Sequence, residues 1–154
     1  LYAKNWSANF SATNSTHVRA IAAMQVAEIG NVLLANISDL GRDASRSQIS
    51  ARVQQFGANL QEHINSFGPA MGYRCTDQGP VPVIRVEDIS HLNNATLVRT
   101  WSQGAASCVR ITLLPNIATN TNGVWVKIET QWIDAHTLEG QLESVAVHTL
   151  VSPL

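Results

Sequence analysis

Seven apolar residues, Val18, Ala22, Val26, Ile29, Leu33, Ile37 and Leu40, recur at steps of 4, 4, 3, 4, 4 and 3. No other feature of the chain constrains its fold as strongly. Only an α-helix brings positions at that spacing onto a single stripe, so the segment must be a helix of about six turns laid along a core. Gly41 then suits the left-handed position that ends a helix, and Asp43 or Ser45 can cap the next one, with Ser45 and Gln48 at capping-box spacing. A second stripe follows through Ile49, Val53, Phe56, Leu60, Ile64 and Phe67, and Gly68-Pro69 stops it. Two amphipathic helices joined by so few residues should form an antiparallel pair.

Beyond Pro69 the period changes. Gly72, Gly79, Pro80 and Pro82 read as loop punctuation, and the β-branched run from Val83 to Ile89 reads as a short strand near a sheet edge. Residues 97–101 fit either a strand or a helical turn. From Cys108 to Leu114 the pattern alternates, with Val109, Ile111 and Leu113 on one face. From Val124 to Ile133 it puts Val124, Val126, Ile128 and Trp132 together, with Trp125 on the opposite face. These runs should pair antiparallel through the loop carrying Asn122-Gly123, and residues 142–151 should pair back onto them. The expected fold is therefore α+β: two N-terminal amphipathic helices packed on an antiparallel sheet of three to five strands, all in one domain spanning residues 1–154. Residues 1–17 are either an exposed arm or an extension of the first helix.

Charge and cysteine usage narrow the setting. Ten Lys and Arg stand against eleven Asp and Glu, with no cluster of either sign, which leaves little for nucleic acid to bind. Cys75 and Cys108 are the only cysteines, and their separation suits a disulfide, which places the chain in an extracytoplasmic compartment: periplasm, cell surface or secreted. Five N-x-[ST] sequons exceed the roughly two that chance would give in a chain this rich in Asn, Ser and Thr. Asn5, Asn9, Asn14 and Asn94 are candidate glycosylation sites, whereas Asn36 flanks the first helix stripe, where a glycan would obstruct packing.

Familiar catalytic signatures are missing from the sequence: no phosphate-cradling G-x-x-x-x-G-K-[ST], no dinucleotide-binding G-x-G-x-x-G, no H-E-x-x-H and no G-x-S-x-G. The five histidines are scattered, and Asp134 with His136 reads as a solvated turn rather than an oriented base. The chain is expected to be non-enzymatic, with neither cofactor nor metal site. Aromatic residues point to contacts instead. Tyr2, Trp6 and Phe10 recur at steps of four in an otherwise Asn- and Ser-rich arm, and Trp125 lies on the sheet face away from Trp132; these four are the candidate interface residues.

A long N-terminal helix followed by an antiparallel sheet stapled by a disulfide resembles, in element order, the pilins and pseudopilins of bacterial surface filaments. The chain departs from that outline in its second helix, with its own stop at Gly68-Pro69. The resemblance implies a membrane-anchored structural subunit that binds a protein partner or its own copies. The start at Leu1 fits an anchoring segment preceding it. The alternative expectation is a ligand- or partner-sensing ectodomain of a membrane receptor.

Overall fold

The computed structural model describes residues 15–69, 72–82, 107–117, 122–134 and 141–153. Among these residues two helices precede five strands: α1 (Ser15–Ile37), α2 (Arg46–Asn65), β1 (Tyr73–Thr76), β2 (Gly79–Pro82), β3 (Ser107–Leu114), β4 (Val124–Asp134) and β5 (Gln141–Val151). The fold is α+β, with the strands divided between a two-stranded sheet, β1-β2, and a three-stranded sheet ordered β3-β4-β5, every pairing antiparallel. The strand expected at residues 83–89, the segment 97–101, and residues 1–14 of the arm lie outside the described residues, as do Asp134's side chain and His136.

Both helical stripes are where the periodicity puts them. Val18, Ala22, Val26, Ile29, Leu33 and Ile37 are buried along α1, as are Ile49, Val53 and Ile64 along α2. One cluster joins residues of both helices to Val109, Val124, Val126, Ile128 and Val151 of the three-stranded sheet. A smaller one joins Val18 and Ala22 to Trp132. At the start of α1, the Arg19 guanidinium donates to the Glu143 carboxylate (2.8 Å) and to the Ser144 carbonyl (3.1 Å), and it lies 5.4 Å from the Trp132 ring centroid. The helix is thereby pinned across β4 and β5.

The capping box forms as spaced: Gln48 N–H donates to Ser45 Oγ (3.2 Å) and Ser45 N–H to Gln48 Oε1 (2.8 Å). The end of α1 differs from expectation. The α-helix stops at Ile37 and tightens into a 3₁₀ turn over Ser38–Leu40, where the Ser38 hydroxyl bonds back to the Ala35 carbonyl (2.8 Å). Gly41 has the positive φ that favours glycine, 81°, but with ψ at 166° it is extended rather than in the left-handed helical well. The orphan carbonyl of Asn36 is instead satisfied from α2, by Arg52 (3.0 Å), which also reaches Asp39 (2.9 Å).

The stretch read as loop punctuation is a hairpin. β1 and β2 pair from Thr76↔Gly79 to Tyr73↔Pro82 around the two-residue turn Asp77-Gln78. Pro80 and Pro82 are tolerated because they sit two apart: only the alternate residues Gly79 and Val81 turn their N–H groups toward β1. The disulfide Cys75–Cys108, with a Cα–Cα distance of 5.7 Å, ties the hairpin to β3. The Arg110 guanidinium supports it by donating to the carbonyls of Thr76 (3.2 Å) and Asp77.

Candidate interaction surfaces

The inward stripe of α1 is occupied by its own domain. Its outward face carries Ala20, Ala23, Met24, Ala27, Asn31, Val32 and Ala35, all exposed, and Glu28 is the only ionisable side chain between Arg19 and Asp39. Met24 is 72% exposed and Val32 41%. Ala23, Ala27, Asn31 and Ala35 follow at steps of four, giving a row of short side chains flanked by Met24 and Val32, the relief into which another helix packs its own ridge. A helix apolar all round is ordinarily covered all round, and α1 is long and apolar enough, by length and composition, to cross a membrane.

The outer face of the three-stranded sheet differs in chemistry. The register brings Leu114, Trp125 and Leu150 into one row and Thr112, Lys127 and His148 into the next. Trp125 is half-buried there, while Trp132, on the helix-facing side, is 3% exposed. His148 is exposed. Thus the alternation in β4 separates the two tryptophans as the sequence implies, one enclosed against α1 and one half-buried on the far face.

The remaining interface candidates, Tyr2, Trp6 and Phe10, and the sequons at Asn5, Asn9, Asn14 and Asn94 lie outside the described residues. Asn36 is half-buried, its side-chain oxygen enclosed and its carbonyl engaged by Arg52. A glycan there would disrupt the junction between α1 and α2. The two cysteines form the disulfide described above, and among the described residues no three His, Cys, Asp or Glu side chains gather as a metal site would require.

Reading the sequence for its buried stripe leaves Met24, Val32 and the alanine row unassigned. Their signal was a deficit: a surface helix normally carries charge on its free face, and nineteen consecutive positions here, 20–38, carry one. The chain matches no protein-family model, no curated protein and no solved structure.

Proposed function

We propose that this chain is a non-enzymatic extracytoplasmic interaction domain, part of a membrane-anchored surface subunit with a pilin-like outline, whose outward α1 face meets a helix of another copy or of a protein partner. The observation that carries this reading is the exposed apolar face of α1, with Met24 and Val32 standing beside a row of short side chains. Water is a poor permanent neighbour for such a face. The disulfide is compatible with an oxidising compartment.

Sedimentation over a range of concentrations, with and without lipid vesicles, tests the reading. The wild-type protein is expected to self-associate through α1. Replacing Met24 and Val32 together by Glu should weaken that association by roughly a hundredfold or more, since it buries two unpaired charges, while leaving thermal unfolding nearly unchanged because both positions are exposed. A wild-type protein that stays monomeric at millimolar concentration would refute self-assembly. Vesicle binding lost in the Glu variant would assign the face to a membrane instead.

A further inference from the structure

A second surface, which shares no residue with α1, lies where α2 overhangs the edge of the three-stranded sheet. Among the described residues β3 is an edge strand, and an exposed edge invites pairing unless something covers it. Here α2 covers part of it with side-chain amides. Asn65 accepts from the Val109 N–H (2.9 Å) and donates to the Val109 carbonyl (2.9 Å), and Gln61 accepts from the Ile111 N–H (2.8 Å). Two amides thus stand in for the main chain of a missing neighbour.

The cover stops there. Successive residues of an antiparallel strand turn their main-chain groups alternately to one side and the other, so Leu113, like Val109 and Ile111, turns its N–H and C=O away from β4. Among the described residues, these two groups and the Ile111 carbonyl have no hydrogen-bond partner. One turn and more along α2, the side chains that would continue the amide cover are replaced by Gly57 and Ala58. Gly57 has a role of its own: a Cβ on it would come within 3.1 Å of Ile111 Cγ2, so its absence lets helix and strand approach. Beside it opens a groove of about 650 Å³, lined by Val53, Gln54, Ala58, Gln61, Ile111 and Leu113 among others, with Glu62 its only ionisable side chain.

From this we infer that the α2–β3 groove binds a short extended peptide segment of a partner protein by strand addition to the β3 edge at Ile111–Leu113. Three features select that occupant. Free main-chain donors and acceptors along a strand are complementary to extended main chain, with neighbouring pockets taking alternate side chains. The pocket beside Gly57 and Ala58, walled by Val53, Ile111 and Leu113, suits a small or medium apolar side chain, and Glu62 favours an uncharged or basic segment over an acidic one. A second folded copy offering its own sheet edge fits poorly, because α2 overhangs the edge and would collide with the helices covering the incoming sheet.

Amide NMR of the whole chain, titrated with capped six-residue peptides alternating valine and threonine and ending in lysine, tests the inference. Shifts are expected at Ile111–Leu114 and along residues 54–62, with slowed exchange of the Leu113 amide. The same peptide N-methylated at its central residues should bind about tenfold more weakly or worse, from the loss of main-chain hydrogen bonds. Ala58→Trp, at an exposed helix position, should fill the groove and abolish the shifts in a folded protein. Absence of shifts, shifts elsewhere, or equal binding of the N-methylated peptide overturns the inference. Concentration-dependent shifts of these amides without peptide would assign the groove to a second copy and equally overturn it. None of these readouts involves Met24 or Val32, so the groove and the α1 face succeed or fail separately.

Discussion

Gln25 is the residue whose chemistry sits least comfortably with its place. It lies on the inward side of α1 between Ala22 and Ile29, is 2% exposed, and neither its amide oxygen nor its nitrogen has a protein partner among the described residues. Thr130, on the helix-facing side of β4, is buried with its hydroxyl in the same condition. An enclosed polar group without a partner forfeits its hydrogen bonds to water and gains nothing in return. Gln25→Met keeps the length of the side chain and removes both polar atoms. It should stabilise the fold by about 1–2 kcal/mol, read as a higher urea midpoint with an unchanged m-value. A loss of comparable size would show that the amide is bonded in solution. Periodicity could not reveal this residue, because Gln25 falls beside the apolar stripe, where a helix surface commonly turns polar.

At the scale of elements, α2 acts as the joint of the molecule. Arg52 closes the end of α1, Arg46 donates to the carbonyls of Pro115 and Ile117 (3.1 Å each), and Asn65 and Gln61 occupy the β3 edge. Asn65 matters most, since Val109 is 1% exposed and water cannot readily replace a lost partner there. Asn65→Ala should therefore cost about 1–3 kcal/mol and speed hydrogen exchange of the Val109 amide, whereas a silent variant would mean that the edge rearranges to meet solvent. Both helices, the capping box and strands β3, β4 and β5 were legible in the sequence, because each rests on a local period or a fixed spacing. The work of α2 was not. Its amides and arginines look in sequence like an ordinary solvated face, and their partners are 13 to 71 residues away. The β1–β2 hairpin was hidden for a different reason: two prolines argue against a strand unless the pairing phase is known. The outward face of α1 was legible only as missing charge.

For the molecule as a whole, the two sheets share no ladder among the described residues, and contacts that tie the hairpin to the rest include the disulfide, Arg110, the Tyr73 N–H donating to the Gly68 carbonyl (3.0 Å), and close packing of Gly79 against Leu142. A cross-link spanning 33 residues stabilises by roughly 3–4 kcal/mol in the chain-entropy account, a large fraction of the 5–15 kcal/mol (order of magnitude) that typical domains possess. The hairpin is short, and an isolated two-stranded ribbon is marginal in water. Replacing Cys75 and Cys108 together by alanine should thus do two separable things. Global stability in urea should fall by about 3–4 kcal/mol, and amides of residues 73–82 should exchange through a local opening well below the global unfolding energy, while Val126, Ile128 and Leu33 still exchange only globally. If the hairpin remains protected to the global limit in the alanine variant, side-chain packing rather than the cross-link holds it in place.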